Sequence, residues 1–341
     1  MERPSPMNMP RHAVGPAQPR DVVAHPGDDL DAIDRDDLSA SATDAAGYPD
    51  QLRRFAFFRV SSSEYIDDAR ERGRLAWTQT LDSLAALAEP EDWTGREGDV
   101  ARPLPILDSY LRYTYRRLVL EDKIAISDDG EYAALNTGLL TPHAEEVFGL
   151  FSRNRVDAPQ PWLFQRWACE SDRTILQRFP EPPPMAEYVH SSADLVYDWR
   201  RPLKLAYEHI LVDNLDRFPA DLANNVMRAR QALDLAVAWA AKRARRNYKI
   251  VVPQWYPRLG AAGAQFLMPL DLSGDHSVDL ALVVSAVGDI AYRGHTVLTL
   301  DMAYTNARLV ARPDSEWLMP RATAIPSVDD AFDAEEEDQA P

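Results

Sequence analysis

The chain has 341 residues, room for two ordinary domains or one large one, with a formal charge of −17 and a single cysteine. One cysteine excludes an internal disulfide and any cysteine-rich zinc or iron–sulfur site, and it points to a reducing compartment. The acidic total excludes less: residues 1–51 carry −6 and residues 327–341 carry −7, so the body between is near −4 and can still present a basic face.

The opening MERPSPMNMPRHAVGPAQPR lacks the apolar core of a signal peptide. No apolar run approaches the roughly 20 residues that span a bilayer, so the expectation is a cytoplasmic protein without a membrane partner. Residues 1–51 are rich in Pro, Asp, Ala and Ser and poor in large apolar side chains, as is the acidic end at 326–341. Such stretches cannot bury enough surface to offset chain entropy, and both are expected to be disordered tails.

The folded body begins near residue 52. Leu81, Leu84, Leu87 and Ala88 recur at helical spacing in Leu75–Glu89, and Pro90 stops that helix. A second helix runs from Pro105 to about Asp122. KIAIS and EYAALN follow, two alternating runs about Asp128, Asp129 and Gly130 that read as a β-hairpin. Helix followed by hairpin is common to many α+β domains and is also how a winged-helix unit ends; residues 52–141 are read as such a helical subdomain.

Residues 142–325 form the second expected unit, an α+β body. VFGLF and WLFQRWA read as strands, and EPPP at 181–184 as a rigid turn or linker. Ala220–Arg246 reads as one long alanine-rich helix, with Val226, Leu233, Val237 and Trp239 toward a core. KIVV, AQFLMPLDL, DLALVVSAV and HTVLTL follow as strands, with turns at 274–276 and 288–289. A run of strands after a long helix favours α+β with an antiparallel or mixed sheet over alternating α/β. No internal repeat is visible.

Five segments resemble a known bacterial family: WACESDRTIL (167–176), HILVDNLDRFP (209–219), RRNYKIVVPQWY (245–256), ALNTGLLT (134–141) and, most specifically, TLDMAYTNARLVARPDSEWL (299–318). The family is domain of unknown function 3825, and the resemblance covers roughly residues 70–318. Its name implies no activity. Its relatives resemble parts of larger proteins that hold cold-shock or other RNA-binding modules, so the resemblance implies an association with RNA.

The residues themselves suggest three functions. Lys242, Arg243, Arg245, Arg246 and Lys249 place five cations within eight residues, with Tyr248, Trp255 and Tyr256 behind them. Cations neutralise phosphates and aromatic faces stack bases, which suits RNA or a nucleotide. The same pattern also arises where a helix C-terminus attracts cations and the aromatics are core. After HTVLTL, the polar residues Asp301, Tyr304, Asn306, Arg308 and Arg312 would either form an internal ion-pair network of Asp301 with an arginine or complete a phosphate site with Asn306, Arg308 and Arg312. NTG at 136–138 is a backbone-satisfying turn or a phosphate-approaching loop.

The second reading is a metal-dependent phosphodiesterase or nuclease using Glu170, Asp172 and Asp301. Its rival is that Ser171 or Asp172 caps the helix TILQRF. The third is a scaffold whose acidic tails engage a basic protein. His143, His190, His209, His276 and His295 show no zinc-ligand spacing, Cys169 reads as a core residue, and no Walker loop or GxGxxG occurs. No cofactor is indicated.

Overall fold

The computed structural model describes residues 51–61, 67–94, 104–155, 158–256, 265–315 and 317–318. The expected disordered tail at 1–51 lies outside the described residues except for Gln51, which begins a helix, and the one at 326–341 lies wholly outside them. Among those described, no helix is long and apolar enough to cross a membrane.

The first half opens with α1 (Gln51–Phe55) and the short β1 (Ala56–Phe57). Then comes α2 (Ala69–Leu87), capped by Asp68, whose carboxylate accepts the Arg70 backbone N–H. α3 (Pro105–Leu120) starts on a proline, where a missing N–H leaves no helical bond unmade. Next are β2 (Ala125–Ile126), β3 (Tyr132–Leu140), β4 (Glu146–Arg153), β5 (Trp162–Cys169) and α4 (Arg173–Arg178).

The second half contains β6 (Leu203–Leu205), α5 (Tyr207–Val212), α6 (Ala220–Ala223) and α7 (Val226–Ala244). Strands β7 (Val252–Gln254), β8 (Gln265–Leu270), β9 (Leu280–Val287) and β10 (Ala291–Leu298) follow, and α8 (Leu300–Val310) is the last element among the described residues.

The two halves share one topology. Each builds a five-stranded sheet, ordered β1-β5-β4-β3-β2 in the first and β6-β10-β9-β8-β7 in the second. In each, the leading strand pairs parallel with the last strand, and the other four form an antiparallel meander. Helices fill the crossover between the first and second strands, α2 and α3 in one unit and α5 to α7 in the other. A helix also follows each last strand. The repeat is one of topology, since no repeat is visible in the residues.

Burial divides the molecule into layers. The first sheet turns Ala134, Phe148 and Leu150 toward Ile175 of α4, and Leu135, Val147 and Phe151 toward α2 and α3. The second turns Phe266, Met268, Leu282 and Val284 toward α7, and Leu267, Ala281 and Val283 toward α8. The order is therefore α4, first sheet, α2 with α3, α8, second sheet, α7. Both sheets are covered on both faces, so their strands read as nearly continuous apolar runs. Contact between α3 and α8 joins the units in one shared core.

Several expectations change. The boundary at 141/142 falls between β3 and β4, hydrogen-bonded neighbours in one sheet, so no unit ends there. The junction is instead the stretch after α4 that contains EPPP. The helix–hairpin succession of α3, β2 and β3 is present, but β3 also pairs with β4, so the hairpin is an edge of a five-stranded sheet. The long helix is broken at Asn224 and Asn225, where the Asn225 side chain caps α7 by accepting from Arg228 N at 3.1 Å. Its core face is Ala229, Leu233, Ala236, Ala240 and Ala244, while Val226 is exposed. In KIVV, Lys249 and Ile250 belong to a 3-10 turn and only Val252 is in a strand. NTG is a bulge within β3: Asn136 Oδ1 accepts from Gly138 N at 2.8 Å, and Gly138 has φ +72°.

Candidate functional site

A cleft of about 400 Å³ lies on the seam between the two units. Its walls come from the turn after α2 (Glu89, Glu91, Trp93), from α3 (Tyr110, Thr114), from the junction (Met185–Val189), and from α8 and the residues just after it (Arg308, Arg312).

The junction wall is fixed to α3 by polar contacts. Arg117 Nε donates to the Glu187 carbonyl at 2.8 Å, Lys123 Nζ to that of Met185 at 3.1 Å, and the Glu187 N–H donates to Glu121 at 3.0 Å. The hydroxyls of Thr114 and Tyr188 stand 3.1 Å apart, and burial pushes the Tyr188 hydroxyl well above its usual range.

The floor is a buried ion pair. Glu91 receives Arg308 Nε at 2.8 and 2.9 Å and the Tyr304 hydroxyl at 2.9 Å, with side-chain exposures of 3% for Glu91 and 11% for Arg308. The Arg308 guanidinium also lies 4.8 Å from the Tyr110 ring and 5.2 Å from that of Trp93. Burial and the neighbouring Glu91 raise the Tyr304 hydroxyl above its ordinary value. Arg312 reaches only to 4.0 Å from Glu91 and is half exposed.

A second surface lies at the C-terminal end of α7. Lys242, Arg243, Arg245 and Arg246 are exposed there. Arg246 donates to the Lys242 carbonyl at 2.8 Å, and Lys249 Nζ pairs with Asp314 at 2.6 Å. The Arg245 guanidinium lies 4.6 Å from the centre of the Trp199 ring, an indole that is 43% exposed. Arg200 and Arg201 follow Trp199 in the chain, both paired with Asp198. Tyr248 is 63% exposed.

The family profile described as Domain of unknown function (DUF3825) matches residues 84–317, most of the chain and all of both surfaces. The chain belongs to this family. No curated protein and no solved structure matches it.

Within this DUF3825 core the expected site residues separate. Arg308 and Arg312 line the cleft, whereas Arg245, Arg246, Lys249 and Tyr248 are on the α7 surface. Asn306 lies on α8, where its carbonyl receives the Trp255 N–H at 3.5 Å. The segments 245–256 and 306–318 do meet, through Lys249–Asp314 and through Ser315 and Trp317, which donate to the carbonyls of Lys249 and Ile250. That contact is structural.

Trp255 is not a base-stacking residue in this fold. It is 0% exposed and packs against Tyr188 at 5.2 Å, so no base can reach its ring. Asp301 is in the first turn of α8 rather than at a strand end, and the partner of Arg308 is Glu91 instead of Asp301. Asp172 caps α4 by accepting from Thr174 N at 2.7 Å and pairs with Arg166 at 2.9 Å. Among the described residues no group of three His, Cys, Asp or Glu is placed to hold a metal, so Glu170, Asp172 and Asp301 do not converge. Cys169 ends β5 half-buried rather than in the core, and burial, then Glu145 and Asp172, raise its thiol pKa.

The sequence reading missed Glu91, Trp93, Tyr188 and Trp199. For the α8 residues a signal existed: Tyr304 and Arg308, four apart, share one helical face, and Arg312 follows just beyond the helix end. Glu91 and Trp199 carry no such local signal, because their partners are distant in the chain.

Proposed function

We propose that the protein binds single-stranded RNA across the C-terminal end of α7. The observation that carries this reading is the Trp199–Arg245 stack, an exposed indole beside a dense group of cations. Lys242, Arg243, Arg245 and Arg246 supply phosphate contacts, and Lys249 joins them on exchanging Asp314 for a phosphate. Trp199 takes the stacking role that the sequence suggested for Trp255, and exposed Tyr248 provides a second ring. Base stacking on such rings is tolerant of sequence, while the cations follow the backbone. An open surface of this kind suits a strand better than a free nucleotide, which would make only a few of these contacts.

The test is binding of a labelled uridine-rich oligonucleotide between about 50 and 200 mM salt, the range over which phosphate-driven affinity falls steeply. Replacing Arg245 and Arg246 together with Ala should weaken binding and flatten the logarithmic salt slope by roughly 1.4, about 0.7 per lost phosphate contact. Absence of binding at the lowest salt would remove the proposal.

A further inference from the structure

We propose that the seam cleft is a separate small-molecule site, built for a planar heteroaromatic ring that carries hydrogen-bond acceptors and one anionic group, the class to which nucleoside monophosphates belong. It shares no residue with the α7 surface and does not depend on the RNA reading.

Size and position come first. A volume of about 400 Å³ is that of a single small ligand, and seams between units are preferred places for such sites. The lining is aromatic and apolar over much of its extent, with Trp93, Tyr110, Tyr188, Leu140 and Met185. Such walls favour a flat ring.

Polar groups then restrict the ligand. Trp93 is 3% exposed, and its indole N–H has no acceptor among the described residues. The N–H is itself enclosed, so an acceptor on a ligand recovers the free energy of the unmade bond by turning the ring until the N–H meets it. The hydroxyl of Tyr110 is already used, donating to the Thr137 carbonyl at 2.9 Å.

Charge restricts it further. Glu91 is neutralised by Arg308, while the exposed Glu187 shares Lys123 with Glu121, each at 3.0 Å. Of the two arginines in the lining, Arg308 is committed to the floor. Arg312 is only loosely held at 4.0 Å and half exposed, free to swing to an incoming anion. One such cation, with Glu89 also in the lining, suits a single phosphate and disfavours a polyphosphate.

The experiment is calorimetric titration of the full chain with the four nucleoside 5′-monophosphates and, in parallel, the four uncharged nucleosides. At least one monophosphate should bind saturably at one site per chain. Arg312→Ala should weaken that monophosphate about tenfold and leave the matching nucleoside unchanged, and Trp93→Phe should weaken both about tenfold. The variant with Arg245 and Arg246 replaced by Ala should bind as the parent does. Arg312 is half exposed, so Arg312→Ala retains the fold and gives an answer even where Trp93→Phe is unstable. The proposal is overturned by no saturable binding of any monophosphate at millimolar concentration, by indifference of binding to Arg312→Ala or to a folded Trp93→Phe, or by its loss in the Arg245/Arg246 variant.

Discussion

Arg308 and Glu91 stand 217 positions apart in the chain, yet the Arg308 Nε lies 2.8 and 2.9 Å from the two carboxylate oxygens of Glu91. The pair joins the turn after α2 in the first unit to α8 in the second. It fixes the seam and occupies the more buried of the two arginines in the cleft. Such a pair contributes little net stability while intact, because desolvation offsets the attraction, but breaking it strands a charge.

Glu91→Ala should therefore destabilise the protein by roughly 3–5 kcal/mol in urea unfolding, the cost of leaving a buried arginine without its carboxylate. Replacing both partners, Glu91→Leu with Arg308→Met, should recover most of that loss. A double variant as unstable as the single one would show that the pair is not the source of the effect.

The two tryptophans that compete for the stacking role should separate in one comparison. Trp255→Ala removes a fully buried ring and should cost roughly 3–5 kcal/mol. Trp199→Ala removes an exposed ring and should stay within about 1 kcal/mol of the parent, while weakening RNA by the roughly 1–3 kcal/mol that stacking is worth. Chemical unfolding of both variants decides it, and equal losses would place Trp199 in the core.

That contrast shows what the sequence could and could not convey. Helices α2 and α3 and strands β8 to β10 were readable because apolar spacing and turn glycines are local signals. The α8 helix was not assigned, because a buried strand ends just before it and its polar residues drew a reading as a site at that strand's end. Yet the spacing of Tyr304 and Arg308 was helical. Trp255 looked available because it follows a basic run, and only the packing of Tyr188 from the junction reveals that it is covered. The shared topology of the units was invisible since strand order depends on pairing, which leaves no mark on residue identity. Glu91 could not be found at all from its neighbours, because its role is set by α8.

His295, in β10, gives a pH prediction. Burial first, then the charge of Arg293 and the neighbouring His209 ring, lower its pKa to about 4. Between about pH 6.5 and 4 it is neutral in the fold and charged in the unfolded chain. The unfolded state then binds the extra proton, so stability falls as pH drops through that window and is unaffected by this group above it. His295→Gln should lose less stability than the parent between pH 7 and 4.5, by roughly 1–2 kcal/mol once partial solvent screening is allowed for. Identical pH profiles for the two proteins would contradict a buried neutral imidazole.

The most direct test of RNA binding at α7 is ultraviolet crosslinking of a uridine-rich single strand to the full chain, with the modified peptides mapped by mass spectrometry. The account predicts crosslinks at Trp199 and Tyr248, lost when Arg245 and Arg246 are replaced by Ala, with none at buried Trp255. Crosslinks that fall elsewhere on the molecule, or persist unchanged in the arginine variant, would contradict it.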